Sequence, residues 1–384
     1  MTTYISNFHR DPRRKRGAVA VTIVVCLTTL FIFAAITVDV GLMYNTRADL
    51  QLTADSAALA AASALVNESR VEGDHETAFA EARNRALSYT GFNRVMNNEV
   101  AAASGDIIIG YMANPRDPND VMQFGDQSKY NSVRVLIRRD STLNGPVEML
   151  FSQVFGHQET EITAAATAGY LQGISGFKVT DETGPAGVLP ITLKESVWED
   201  LLDGTFTSGD NYAYDPVTGN VTPGPDGIFE LNLYPGADLP AGNFGTVNIG
   251  TNSNSTAHLA SQIINGLTAE DLEYHGGELS LGDDGTLSLT GDTGLSAELK
   301  DELTAIIGEP RIIPIFSTVS GPGDNADFTI VGWVGLRIMY VKLTGPMAGK
   351  KVIIQPANVV DDAAISNPGD ETSQFVNRPL QLFR

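Results

Sequence analysis

Cysteine, histidine and basic residues are all scarce in this chain of 384 residues. The one cysteine, Cys26, excludes an internal disulfide and a zinc site built on several cysteines. Lys and Arg number 25 against 46 Asp and Glu, and the formal net charge of −21 disfavours nucleic acid as a partner. The five histidines show no HExxH or other metal-ligand spacing; they are His9, His75, His157, His258 and His275.

Catalytic sequence motifs are missing as well. The chain has no Gly-x-Ser-x-Gly elbow and no Ser-x-x-Lys pair, and no glycine-rich phosphate loop follows a predicted strand. We therefore expect a protein that is not an enzyme, with no cofactor and no metal. No small-molecule ligand is expected either, and a tethered hydrolase is the least favoured of the alternatives.

One long run without charge stands out near the N-terminus. Ala18 to Val38 holds 21 residues without a charged side chain, directly after the basic cluster Arg13, Arg14, Lys15 and Arg16. As a helix the run would be about 31 Å long, which is enough to cross a hydrocarbon core of about 30 Å. The sequence predicts a single transmembrane helix over 18–38, with the lipid bilayer as a partner.

Charge on either side of this run predicts its orientation. Residues 1–16 carry a net charge of +4, whereas the rest of the chain carries −25. Basic residues next to a span stay in the cytoplasm, so we expect a cytoplasmic leader over 1–17 and an extracytoplasmic C-terminal bulk. A cleaved signal peptide is the alternative. It is disfavoured because its apolar region is about 7–15 residues long and because Ala35-Ile36-Thr37 is a poor cleavage site.

The helix is predicted to continue beyond the span to about Asn67. This stretch lacks proline and is rich in alanine, the best helix former. At 100° per residue, one stripe of the predicted helix is apolar and small; it contains Met43, Leu50, Ala54, Ala57, Ala61 and Leu65. We expect this stripe to pack within the chain, and packing against a sister subunit is the less favoured alternative.

Residues 39–171 are predicted to combine the helical spine with a small α+β domain. A second helix should run from an N-cap at Asp74 to about Tyr89. A short helix should cover Pro146 to Phe155 and end at Gly156. Strands are expected over 105–111, 132–139 and 161–170, the second because apolar residues alternate at Val133, Val135 and Ile137.

Residues 172–360 are predicted to form a β-rich domain with two or three short helices, followed by a loose tail over 361–384. A hairpin should join 279–281 to 287–289, and two longer strands should pair over 311–317 and 328–343. Helices are expected over 256–267 and 296–307. The fold class is therefore α+β, with an N-terminal transmembrane helix extended into a long helix.

Asp-rich turns leave one binding function open. The turns at 210–226, 282–285 and 323–327 could offer oxygen ligands to calcium, but none fits the EF-hand pattern. Ordinary turn chemistry explains the same residues and is favoured. The alternative function is thus a membrane-tethered extracytoplasmic binding module for glycan or calcium.

Three motifs around the end of the apolar run resemble a known family. They are Val38-Asp39-Val40-Gly41, Arg47-Ala48-Asp49-Leu50-Gln51 and Ala54-Asp55-Ser56-Ala57-Ala58-Leu59-Ala60-Ala61. In this order they resemble the TadG-like N-terminal segment of tight-adherence (Flp) pilus assembly proteins, over residues 16–64. Residues 131–171 are similar to the continuation in TadE- and TadG-like proteins. The positions that carry the resemblance are Asp39, Gly41, Arg47, Leu50, Gln51, Ala54, Asp55, Ala57 and Ala58.

The resemblance implies a pilin-like helix in the inner membrane, an extracytoplasmic body and other Tad pilus-assembly proteins as partners. Related pseudopilins are cut after a glycine that closes a basic leader, and Gly17, followed by Ala18, lies at that place. Those proteins have a glutamate five residues after the cut, whereas this chain has Thr22. The difference fits a stationary component better than a polymerising pilus subunit.

Overall fold

The structure, a computed structural model, describes residues 13–117, 119–234, 242–250, 255–321, 325–346 and 349–383. At 13–18 and 68–69 it describes the backbone alone. The helices in this part of the chain are α1 (Arg13–Ala62), α2 (Glu68–Val71), α3 (His75–Thr90), α4 (Glu195–Leu202), α5 (Thr256–Asn265), α6 (Ala269–Glu273) and α7 (Lys300–Ala305). Short 3₁₀ turns cover Ser63–Leu65, Ser104–Asp106, Gln127–Lys129, Ser152–Phe155 and Ala297–Leu299.

The strands are short except in the C-terminal half. The first eleven are β1 (Arg94–Val95), β2 (Asn98–Glu99), β3 (Ile107–Gly110), β4 (Ser132–Arg139), β5 (Val147–Glu148), β6 (Glu159–Thr160), β7 (Ile162–Gly169), β8 (Ile174–Phe177), β9 (Ile191–Lys194), β10 (Tyr212–Asp215) and β11 (Asn220–Pro223). The others are β12 (Leu231–Asn232), β13 (Phe244–Val247), β14 (Leu279–Ser280), β15 (Leu287–Asp292), β16 (Pro310–Ser320), β17 (Ala326–Lys342), β18 (Lys351–Pro356), β19 (Val359–Val360), β20 (Ala364–Ser366), β21 (Ser373–Gln374), β22 (Val376–Asn377) and β23 (Gln381–Phe383).

Helix α1 is the longest element, with 50 residues and a length of about 75 Å. It contains no proline, and its second half is dominated by alanine, so no residue breaks the hydrogen-bond ladder. The predicted continuation of the apolar helix beyond Val38 is therefore confirmed. The fold class is also confirmed, because this long helix is followed by a β-rich region with a few short helices.

The chain divides into two compact units, which we describe separately. Unit 1 comprises Met1–Ala57, Leu87–Asp106 and Val135–Ala165. Unit 2 comprises Ala58–Ala86, Ile107–Arg134 and Ala166–Arg384.

Unit 1 contains two small hairpins beside its part of α1. Strands β1 and β2 are joined by Met96 and Asn97, which both have positive φ, as a tight hairpin turn requires. Strands β5 and β6 pair Val147 with Thr160 and Glu148 with Glu159. The second hairpin carries the loop 149–158 at its end.

Unit 2 is built around a sheet whose strand pairing closes on itself. Strand β17 pairs with β15, β15 with β13, β13 with β9, β9 with β16, and β16 again with β17. The contact between β9 and β16 is parallel and the others are antiparallel. Strands β18, β12 and β21 extend this sheet.

Two apolar clusters fill unit 2. One joins helices α4, α5 and α7 to the sheet and includes the fully buried Trp198. The other includes Trp333, whose ring makes an edge contact with Phe177 at 5.0 Å between centroids. A core of this size lets unit 2 fold without disulfides, as the single cysteine requires.

Several predicted elements agree closely with the structure. Helix α3 has its N-cap at Asp74, whose Oδ1 accepts a hydrogen bond from the Thr77 amide at 3.1 Å. Strand β4 covers the predicted range, and Val133, Val135 and Ile137 are fully buried. Strands β16 and β17 pair antiparallel, as predicted for 311–317 and 328–343.

The predicted helix over Pro146 to Phe155 is wrong. Its first half forms strand β5, and only Ser152–Phe155 makes a 3₁₀ turn, which ends at Gly156. The amides of residues 150–152 cannot join a helical ladder because they donate to the carboxylate of Asp39. A contact distant in sequence has overridden the local preference.

The predicted hairpin between 279–281 and 287–289 is also wrong. The turn forms, with the Gly282 amide donating to the Thr286 carbonyl at 2.8 Å. Strand β14 nevertheless pairs with β8, and β15 pairs with β13 and β17. Pairing with β13 and β17 buries Leu289, whereas an isolated two-stranded hairpin would leave this side chain exposed to water.

The C-terminal residues differ from the loose tail expected over 361–384. Strands β20 to β23 lie there, and β23 pairs with β7 through Gln381, Leu382 and Phe383. The apolar side chains of Val376 and Phe383 are buried. The polar composition of this segment predicts a loose tail, because only a few apolar residues, such as Val376 and Phe383, fix it to the protein.

Candidate functional site

The residues that carry the family resemblance lie along α1 at and beyond the end of the apolar run. Among them, Gly41 and Arg47 are exposed, and Gln51 and Asp55 are partly buried. The buried ones are Asp39, Leu50, Ala54, Ala57 and Ala58.

Asp39 binds the loop that follows β5. Its Oδ1 accepts hydrogen bonds from the amides of Leu150 at 3.0 Å and Phe151 at 3.2 Å. Its Oδ2 accepts from the Ser152 amide at 2.6 Å and from the Ser152 hydroxyl. Hydrogen bonds to a carboxylate are stronger than neutral ones, so Asp39 fixes this loop against the helix.

About two to three turns beyond Asp39, α1 binds the β1–β2 hairpin. Asp49 Oδ2 accepts from the Met96 amide at 3.2 Å, and the Thr46 hydroxyl contacts the Met96 sulfur at 2.9 Å. About two turns beyond Asp49, Asn93 donates to the Ser56 hydroxyl at 2.6 Å. Three polar side chains of the helix, Thr46, Asp49 and Ser56, therefore bind protein rather than water.

The stripe of small residues is buried almost throughout. Leu50, Ala54 and Ala57 are fully buried in unit 1, whereas Met43, the first predicted member, is 38 % exposed. Gln51 donates to the Ala165 carbonyl at 3.0 Å, which places the helix beside β7. Burial within one chain supports the intramolecular packing predicted for this stripe.

The side chains of the apolar run are not covered by other parts of the described chain. From Val19 to Val38 every side chain is exposed except that of Ala35, which is partly buried. The hydroxyls of Thr28, Thr29 and Thr37 each donate to the carbonyl four residues before, at 2.7–2.8 Å. The polar groups of these side chains are thus satisfied inside the helix, as lipid surroundings require. This helix is long and apolar enough to cross a membrane.

Residues 17–64 match the family described as putative Flp pilus-assembly TadE/G-like. The match begins at the glycine after the basic cluster and ends two residues beyond α1, so the TadE/G-like segment is the long helix itself. This confirms the resemblance drawn from the sequence. Searches among curated proteins and among solved structures return no match to the chain.

The possible leader site lies at the start of the TadE/G-like segment. The backbone of Gly17 and Ala18 is helical and continuous with Arg13 to Arg16. The structure does not describe the side chains of Arg13 to Arg16. Gly17 and Ala18 remain a possible cleavage site, and the uncleaved anchor expected from the sequence stays a prediction.

Sequence reasoning missed the partners of the TadE/G-like segment. Ser152, Asn93 and Met96 lie 37 to 113 residues from the helix positions they contact, and no spacing rule connects them. The lack of Asp, Glu, Lys and Arg from Met149 to Gln158 is no signal either, because longer uncharged runs such as 239–269 occur elsewhere in the chain.

Unit 2 contains a cavity of about 680 Å³ whose lining includes Arg70, Lys129, Trp198 and Glu371. Arg70 donates to the carbonyls of Tyr130 and Ser128, and burial lowers the pKa of Arg70 to about 10. Lys129 pairs with Glu371, and this hydrogen bond raises the pKa of Lys129. Both basic groups are thus already engaged with the protein.

Within the described part of the chain, no group of three or more His, Cys, Asp or Glu side chains could hold a metal ion. The Asp-rich turns show why. Asp210 accepts from the amides of Asp226 and Gly227, and Asp284 accepts from that of Thr286, so these carboxylates stabilise their own turns. The turn at 323–327 lies partly outside the described residues.

Proposed function

We propose that this protein is a non-enzymatic, single-pass component of a Tad/Flp pilus assembly or secretion system. The observation that carries the proposal is the coincidence of the TadE/G-like match with a helix able to cross a membrane. Its partners are then the lipid bilayer and other Tad pilus-assembly proteins.

The proposed orientation has the N-terminus in the cytoplasm and the body outside the inner membrane. The support is the charge asymmetry of the chain, because residues 1–16 before the span carry a net charge of +4 and the rest of the chain carries −25. The basic side chains would also be attracted to anionic head groups, at about 1 kcal/mol each.

A stationary component is favoured over a pilus subunit for two reasons. The stripe formed by Leu50, Ala54 and Ala57 is already buried within the chain, so this face of α1 is not available to helices of neighbouring subunits. Thr22 also lacks the carboxylate that would neutralise a neighbour's new amino terminus inside the membrane.

Deletion of the gene tests the proposal. Cells should lose Flp pili, counted by electron microscopy, and surface adhesion, and a plasmid copy of the full chain should restore both. Unchanged pili and adhesion in the deletion strain would refute a function in pilus assembly.

Intact mass and N-terminal sequencing of the protein from its own membranes test whether it stays anchored. An N-terminus at Met1 or Thr2 is expected for a permanent anchor. An N-terminus at Ala18 would mean that a peptidase cuts after Gly17 and that the protein can leave the bilayer as a minor pilin.

A further inference from the structure

The loop between β5 and β6, residues 149–158, forms an apolar tip. It carries no charged residue, and four of its large apolar side chains point away from the protein. Leu150 is 61 % exposed, Phe151 44 %, Val154 84 % and Phe155 61 %. The acidic residues Glu148 and Glu159 face each other at the base of the hairpin, outside this tip.

The tip is fixed at one level of α1. Asp39 is the first residue after the apolar run, and its carboxylate holds the amides of residues 150–152 within 3.2 Å. The backbone at the start of the tip therefore lies beside the first residue after the apolar run. No other loop in unit 1 is bonded to the helix at this level among the described residues.

Two further positions on α1, one on each side of Asp39, agree with a membrane edge near this residue. Ala35, one turn before Asp39 and on the same face, is the one partly buried side chain from Val19 to Val38. Tyr44 follows Asp39 by about 7.5 Å along the axis and is 75 % exposed. Exposed tyrosines are typical of the membrane–water interface.

We propose that the apolar tip inserts into the interfacial layer of the same bilayer that α1 crosses, as a second membrane contact. This inference rests on the proposed membrane anchoring. A helix alone fixes neither rotation about its axis nor tilt, whereas a helix and a tip joined through Asp39 would hold unit 1 in one orientation on the membrane. Burial of apolar surface in the interface supplies the driving force.

Depth measurements on single-cysteine proteins test this proposal. The full chain has only Cys26, inside the span, and it supplies the deep reference position. In a Cys26→Ser background, Val154→Cys reports on the tip. Leu52→Cys is the matched control, because Leu52 is an exposed apolar residue of α1 about 20 Å beyond Asp39. Each protein carries an environment-sensitive fluorophore in liposomes and is titrated with nitroxide lipids and with iodide.

We expect a nitroxide near the head groups to quench the Val154 probe strongly, and iodide to quench it weakly. The Leu52 probe should respond to iodide alone. A Val154 probe that behaves like the Leu52 probe refutes the insertion. A Val154 probe shielded from both quenchers also refutes it, since the tip would then contact protein. If the Cys26 probe itself escapes a nitroxide near the chain ends, the membrane anchor fails, which separates the two proposals.

Discussion

Replacing Ala54 by leucine should destabilise unit 1 far more than the same change at Ala48. Ala54 is fully buried on α1, with Leu50 and Ala57 also fully buried on the neighbouring turns. Leucine adds three carbon atoms where there is no free surface, and overpacking of this kind costs about 1–3 kcal/mol. Ala48 is exposed on the same helix, and an Ala48→Leu substitution should stay within about 0.5 kcal/mol.

Hydrogen exchange is the suitable assay for this pair of variants. Both tryptophans, Trp198 and Trp333, lie in unit 2, so intrinsic fluorescence does not report on unit 1. The amides of Val135 and Ile137 in β4 report on unit 1 in the full chain in detergent micelles. A loss of about 1–3 kcal/mol corresponds to exchange about 5- to 150-fold faster through opening of the unit.

The comparison between the two leucine variants decides the matter. Equal exchange rates in Ala54→Leu and Ala48→Leu proteins would show that the stripe does not pack inside the chain. The helix face would then be free to pack against another subunit, as in a polymerising pilus component.

Three other predictions concern unit 2, where tryptophan fluorescence can follow unfolding. Gly335→Ala should cost about 1–3 kcal/mol, because its Cβ would lie 2.4 Å from the Ala357 carbonyl oxygen, whereas Gly294→Ala, with open space around it, should cost little. A chain ending at Asn367 lacks β21, β22 and β23 and should melt at a clearly lower temperature; an unchanged melting temperature would mean that these strands contribute nothing. Burial lowers the pKa of His275 below its usual 6.5, so protonation favours the unfolded chain. The free energy of unfolding should therefore fall as the pH drops below about 6.5. A His275→Gln substitution should reduce that pH dependence.

The elements that the sequence predicted well are those with a local cause. The apolar run and the alanine-rich stretch predict α1 because composition alone decides a helix of this length. Strand β4 was predictable because one of its faces is buried, which imposes alternation on Val133, Val135 and Ile137.

The elements that the sequence did not predict depend on distant partners. Strand β14 pairs with β8 and not with β15, the next strand along the chain. The amides of residues 150–152 donate to Asp39 and not to carbonyls of a helix. The same limit applied to the candidate site. The motif around Asp39 identified a family but did not indicate that the carboxylate holds a loop more than a hundred residues away.

If the chain serves pilus assembly as an anchored protein, exchanging its anchor for a secretory signal should abolish that function. In the deletion strain, the full chain is compared with one whose residues 1–38 are replaced by a cleavable secretory signal peptide, at equal levels by immunoblot. We expect the full chain to restore the number of pili per cell and the released chain to leave the cells without pili. Equal restoration of pili by the released chain would show that pilus assembly does not need the anchor.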